Sequence, residues 1–175
     1  MKKRVLLFVC FMFFAAIYSG CKKPDDGAYT DPITLYEKIK GNWKLNEILQ
    51  IDETAKIAGI QPNEISLFSQ FDFENFNLVL NVDDSNKPTS YEVSGDAPEL
   101  FPKAGFWDLN TSFPAANGSA PIINLYSDAG KTTLTAQLRI VSVPGAKAEM
   151  ELKLTRTASG VPFVSYQYKL TNIQP

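Results

Sequence analysis

Apolar and polar residues alternate along much of this chain. The clearest run, 146–154, places alanine, methionine and leucine on one face and lysine and glutamate on the other. A period of two residues is typical of a strand with one buried and one solvent-facing side. Pro144-Gly145 separates this run from a similar one at 134–140, and this spacing predicts an antiparallel hairpin.

Several further segments show the same period. Strong runs lie at 43–51, 76–82 and 164–170, and weaker ones lie near 65–73, 89–94, 105–110 and 121–127. Polar turn segments separate these runs along the chain. Eight or nine short antiparallel strands in one domain predict a mostly β protein, built as a single barrel or as a sandwich.

One short helix is predicted before the strands. Asp31 and Pro32 suit the N-cap and the first helical position, and Gly41 suits the helix end. Apolar residues between them share one face. The pattern therefore predicts a helix over 32–40.

The first 20 residues have the order of an export signal. Basic residues at 2–4 are followed by an apolar stretch at 5–18, which is shorter than the roughly 20 residues needed to span a bilayer. Small residues at 19–20 then precede Cys21. This order predicts a signal peptide that is removed before Cys21.

The same segment resembles the signal of bacterial lipoproteins, in which the cysteine after the cleavage point is acylated. Tyr18 departs from that motif, which usually has leucine there. The resemblance implies lipid attachment at Cys21, membrane contact through the lipid and a location in the cell envelope. We expect that location to be the outer membrane, with the cell surface as the alternative. We accordingly predict a signal peptide at 1–20, a lipid-anchored linker at 21–32 and one globular domain at 33–175.

The charge of the chain excludes one class of partner. Of its 17 basic residues three leave with the signal, so 14 remain against 19 acidic residues and the net charge is −5. Arg139 and Arg156 are the two remaining arginines. A chain of this kind lacks the basic surface that binds a phosphate backbone. We expect no nucleic-acid partner.

Residue types used in catalysis are scarce. The chain has no histidine, and Cys21, the one cysteine left after cleavage, would carry the lipid. This removes the Ser-His-Asp and Cys-His arrangements and the usual zinc sites. We expect no enzyme activity, no metal and no cofactor, with a carboxylate-based hydrolase as the remaining catalytic alternative.

One short motif points to a family. Gly41-Asn42-Trp43 follows the predicted helix and opens the first strand. Glycine allows a sharp turn there, and tryptophan can close one end of a barrel. In this position the motif resembles the Gly-x-Trp signature of lipocalins and related calycin barrels. The resemblance implies that an arginine from a late strand packs over Trp43, and Arg156 is the candidate.

Residues 33–173 as a whole are similar to a family of Bacteroidetes lipoproteins with a lipocalin-like domain of unknown function. The segment 142–154 is typical of that family. The resemblance implies a single antiparallel lipocalin-like β-barrel of about eight or nine strands with a short N-terminal helix. It implies no particular activity.

Aromatic residues are the candidates for ligand binding. Phe106, Trp107, Phe113 and Tyr126 lie in or near 98–121, a region rich in proline and glycine, and loops held by a rigid barrel commonly carry binding groups. We predict non-catalytic binding of a small apolar or amphipathic ligand. The alternative is a surface module that binds a glycan or a protein partner through 98–121. Core packing is the competing explanation for these rings, and the sequence leaves open whether the barrel is filled.

Overall fold

The computed structural model describes Gly27 and residues 30–173. The predicted signal peptide, its acylation site Cys21 and most of the predicted linker lie outside the described residues. The chain divides into two units between Pro32 and Ile33, and the second unit, Ile33–Pro175, is compact. None of the helices in the described ranges has the length and apolar character needed to cross a bilayer.

Nine antiparallel strands build the second unit. They are β1 (Gly41–Asp52), β2 (Glu64–Ser66), β3 (Asn77–Val82), β4 (Pro88–Ser94), β5 (Ala104–Leu109), β6 (Ile122–Tyr126), β7 (Leu134–Ser142), β8 (Glu149–Ala158) and β9 (Val161–Asn172). Eight of them close into a barrel in the order β1-β3-β4-β5-β6-β7-β8-β9, because β9 pairs again with β1. The predicted mostly β fold, a single antiparallel barrel with a short N-terminal helix, is confirmed.

Strand β1 closes the barrel because it pairs with both β3 and β9, and it has β2 as a third partner. Its first residues pair with β3, and its last residues pair with β2, the one strand outside the closed barrel. Its other edge pairs with β9 along nearly its whole length. The register with β9 shifts between Leu45 and Glu47. This bulge bends the strand where its partner changes from β3 to β2.

The predicted helix over 32–40 is shorter in the structure, where α1 spans Leu35–Ile39. The Glu37 amide donates to the Thr34 hydroxyl (3.2 Å), and the Thr34 amide donates to the Glu37 carboxylate (2.7 Å). This reciprocal arrangement pairs two donors that a helix start otherwise leaves open. The helix therefore begins after Thr34, and Asp31 is not its cap.

The prediction of a strand near 65–73 is wrong for most of its length. Only Glu64–Ser66 pairs, as β2. Residues 68–72 form turns instead, and Asp72 has a φ of 57°, a left-handed conformation that a strand does not contain. Phe73 then opens a 3-10 helix, Phe73–Asn75, and turns its side chain into the core. A second short α-helix, α2 (Glu53–Ala58), follows β1.

One end of the barrel, which we call the helix end, is closed by α1 and the start of β1. Leu35, Ile39 and Trp43 are fully buried there. The Trp43 indole nitrogen donates to the Ile39 carbonyl (2.7 Å). Gly41 lies between them with a φ of 112°, which other L-residues rarely adopt. Helix and strand are thus joined by a turn that needs glycine and tied together by the tryptophan.

Side chains fill the interior. The largest fully buried ones are Trp43, Trp107, Tyr91, Tyr168 and Phe73, and they form one cluster with the leucine and isoleucine side chains of the strands. Inward residues alternate with outward ones along the strands of the closed barrel, as in other small barrels. The opposite end, where β9 begins, we call the loop end. Residues 95–103, between β4 and β5, cover it, and we call them the cap segment.

Candidate ligand-binding site

Trp107, one of the predicted ligand-binding residues, is part of the core. It is fully buried, and its indole nitrogen donates to the Asn81 carbonyl (2.8 Å). Its ring meets the ring of Tyr36 edge-on, with 6.2 Å between centroids. Because Tyr36 belongs to α1, Trp107 helps to pack the helix end.

The other three predicted residues lie elsewhere. Phe106 and Tyr126 pair across β5 and β6 and are half-buried. They point to the outer face of the barrel, because neighbours along a strand point to opposite sides and Trp107 points inward. Phe113 is 43% exposed in the loop between these strands. The structure therefore does not bring the four residues together around one cavity, nor into one outer aromatic face.

Arg156 does not pack over Trp43, which corrects the prediction from the lipocalin resemblance. The register places Trp43 opposite Asn172 and Arg156 opposite Val164 on β9. These partners are eight residues apart, or about 26 Å at the usual rise of a strand. Arg156 thus lies at the loop end, whereas Trp43 lies at the helix end.

Sequence reasoning missed a narrow crevice at the loop end, beneath the cap segment. Phe76, Leu100, Phe101 and Tyr168 are among the residues that line it, and its volume is about 10 Å³, about enough for one water molecule. The rings of Phe76 and Phe101 lie 5.8 and 6.1 Å from the Tyr168 ring, and 6.5 Å from each other. This aromatic cluster plugs the end of the barrel.

The Tyr168 hydroxyl has no hydrogen-bond partner among the described residues, although its side chain is only 2% exposed. An unpaired buried hydroxyl costs about 1–3 kcal/mol, so such groups are uncommon in folded proteins. Burial raises the pKa of Tyr168, and the Arg156 guanidinium opposes that rise. The hydroxyl is therefore a neutral donor at physiological pH, and Tyr168 lines the crevice together with apolar residues and with Glu99 and Lys103.

Three side chains hold the cap segment by its backbone. Lys103 Nζ donates to the Gly95 carbonyl (3.2 Å), the Tyr91 hydroxyl donates to the Pro102 carbonyl (3.0 Å), and the Arg156 guanidinium donates to the Leu100 carbonyl. Two of these three donors are cations that bond to uncharged groups. The cap is thus fastened by a few polar contacts and by the packing of Phe101.

A second, wider space lies on the outer face, between β1, β8, β9 and the segment 66–68. It holds about 470 Å³, which is within the range of small-ligand pockets. Phe68 lines one side of this outer groove, and Glu149, Glu151 and the Glu47–Lys169 ion pair (2.5 Å) also line it. Within the described ranges, no group of three or more acidic, histidine or cysteine side chains is placed to hold a metal ion.

These features define a class of protein, a lipocalin-like β-barrel whose two ends are closed by α1 and by the cap segment. The model of a family described as a domain of unknown function (DUF5004) matches residues 19–171. The match covers most of the chain, and the chain belongs to that family. No curated protein and no solved structure matches this chain. Since a fold alone does not define an activity, function has to be argued from the site.

Proposed function

We propose that this chain is a lipid-anchored, non-catalytic binding protein of the cell envelope, whose ligand is a small amphipathic molecule bound at the loop end. One observation carries the proposal: Tyr168 has a buried hydroxyl without a partner among the described residues, and it lines a crevice of mainly aromatic and aliphatic side chains with Glu99 and Lys103 beside them. An apolar site with a few placed polar groups suits a ligand with an apolar chain and a polar head.

Binding requires the cap segment to move, because a crevice of about 10 Å³ is too small for such a ligand. Phe101, which is 8% exposed, is the side chain that has to leave. Its removal from the core loses about 1.5–3 kcal/mol of apolar burial, and the apolar chain of the ligand restores that burial. The Tyr168 hydroxyl then gains the hydrogen bond that it lacks. The free-energy cost of opening the cap segment is therefore offset only when the ligand is bound.

The predicted location in the cell envelope supports the same function. The order of residues 1–21 supports a lipid anchor at Cys21, and the similarity to Bacteroidetes lipoproteins supports the outer membrane, with the cell surface as an alternative. The lack of histidine supports a non-catalytic role. A binding protein tethered beside a bilayer has a direct source of amphipathic ligands.

The test is a titration of the full chain with decanol and with decanoate. The chain carries Cys21→Ala, which removes the predicted lipid attachment site. The protein can then be handled without a detergent that would compete for the site. We expect saturable binding of one molecule per chain, and we expect Tyr168→Phe to weaken it about three- to tenfold, the contribution of one hydrogen bond. Tyr36→Phe, at the helix end, is the matched control and should leave both affinities unchanged. If neither amphiphile binds, the proposal is overturned.

A second candidate function is binding of a glycan or a protein at the outer surface. It is favoured by the outer groove, whose volume of about 470 Å³ needs no rearrangement to admit a ligand. Phe68 offers a ring for stacking, and Asn46 and Ser66 offer hydrogen-bonding groups. A glycan-array signal that Phe68→Ala abolishes and Phe113→Ala preserves would support this function. An array without any signal would count against the glycan form of it.

A further inference from the structure

We infer that the ligand at the loop end carries an anionic head group, which Arg156 and Lys103 bind. The inference rests on the proposed function and adds the charge of the ligand to it. Two cations lie at a capped, mainly apolar crevice, and each donates a hydrogen bond to a backbone carbonyl of the cap segment. Two cations would contribute little to the binding of an uncharged apolar molecule, whereas they would attract an anionic head group.

The pattern of β8 places Arg156 at the rim of the barrel. Met150, Leu152 and Leu154 point into the barrel and are buried, and Arg156 occupies the next inward position along the strand. Its register partner, Val164, lies near the start of β9. The guanidinium therefore stands where the apolar interior meets solvent. An amphipathic anion would place its head there and its chain inward.

Neither cation has a carboxylate within ion-pair distance in the part of the chain that the structure describes. The ion pairs found there are Lys131–Asp108, Lys153–Glu53 and Lys169–Glu47. Lys103 is half-buried and lines the crevice, and Arg156 lies close enough to Tyr168 to influence its hydroxyl. Two cations without an ion pair among the described residues, of which Arg156 is exposed to solvent, and one hydroxyl donor thus lie at the same end of the barrel.

A carboxylate head satisfies these three donors better than the present contacts do. The present bonds from Arg156 and Lys103 already have an ionised donor, and a carboxylate acceptor adds the attraction of a full opposite charge that a carbonyl lacks. The carboxylate would replace the Leu100 carbonyl, through which Arg156 holds the cap segment to β8, and the Gly95 carbonyl, through which Lys103 joins the two ends of that segment. Binding of the head group thereby favours opening of the cap. Glu99, the acidic residue of the lining, is exposed in the middle of the cap segment and would move with it, whereas Lys103 is the last residue of that segment and adjoins β5.

The test compares decanoate with decanol, two ten-carbon amphiphiles that differ in the charge of the head group. On the full chain carrying Cys21→Ala, we expect decanoate to bind at least about tenfold more tightly than decanol. Arg156→Gln and Lys103→Gln should each reduce that preference while leaving the affinity for decanol within about twofold. Arg139→Gln, on the outer face of β7, is the matched control and should change neither affinity.

Three results would overturn the inference. If decanoate and decanol bind equally well and Arg156→Gln changes neither affinity, the proposed function stands and the anionic head group does not. If Arg156→Gln weakens both ligands equally, Arg156 supports the fold rather than the head group, and urea unfolding of the variant would show the same loss. If neither amphiphile binds, the proposed function is overturned together with the inference.

Discussion

The proposed site depends on the Tyr168 hydroxyl, and Tyr168→Phe tests the state of that hydroxyl in the free protein. An unpaired hydroxyl on a side chain that is 2% exposed destabilises the folded state by about 1–3 kcal/mol. Phenylalanine keeps the ring contacts with Phe76 and Phe101 and removes only the hydroxyl. We expect the free energy of unfolding to rise by about 1 kcal/mol, which raises the melting temperature by about 2–4 °C for a chain of this size.

Tyr91→Phe is the matched control for this measurement. Tyr91 is buried to the same degree, with 1% exposed, but its hydroxyl donates to the Pro102 carbonyl (3.0 Å). Its removal should therefore lower the free energy of unfolding by about 1 kcal/mol. Urea unfolding followed by tryptophan fluorescence measures both variants, provided that the m value is unchanged. If Tyr168→Phe loses as much stability as Tyr91→Phe, the hydroxyl is already bonded in the free protein and the reasoning is refuted.

Three further predictions concern the anchor, the helix end and the pH dependence. Cys21→Ala should release the protein from the membrane fraction, and a variant that still sediments with membranes would refute the lipid anchor. Gly41→Ala should lower the free energy of unfolding by about 1 kcal/mol or more, because φ is 112° there. Gly145→Ala, whose added Cβ meets nothing within 4 Å, should change little, so equal losses in urea would contradict the role of Gly41. Above a pH of about 10, stability should fall as pH rises, because burial raises the pKa of Tyr168 and the unfolded chain releases a proton that the folded chain keeps. An equal slope in Tyr168→Phe would contradict this.

The strands could be predicted because one-sided burial leaves a period of two in the sequence. The runs at 134–140 and 146–154 pair as β7 and β8. Strand β8 begins later than predicted, at Glu149, because Ala148 has a φ of 51°. The segment 65–73 shows the limit of this signal, since Phe73 is buried from a 3-10 turn and apolar spacing alone does not separate that case from a strand.

The candidate site could not be predicted in the same way, because it joins residues that are far apart in sequence. Leu100 and Arg156 are separated by 56 positions, and no local pattern records their contact. A weaker signal does exist: Arg156 follows three buried apolar residues in the inward row of β8. That signal indicates that the barrel interior ends near Arg156. It does not indicate which segment covers this end, because that depends on the path of the chain after β4.

The central claim, that an amphipathic ligand binds beneath the cap segment, is tested most directly by the position of the bound ligand. NMR spectra of the full chain carrying Cys21→Ala, with side-chain resonances assigned, are recorded during addition of decanoate. Binding beneath the cap predicts the largest shift changes at Leu100, Phe101 and Tyr168, with little change at Phe68. Changes that cluster at Phe68 and the outer groove, or spectra that do not change at all, would contradict the claim.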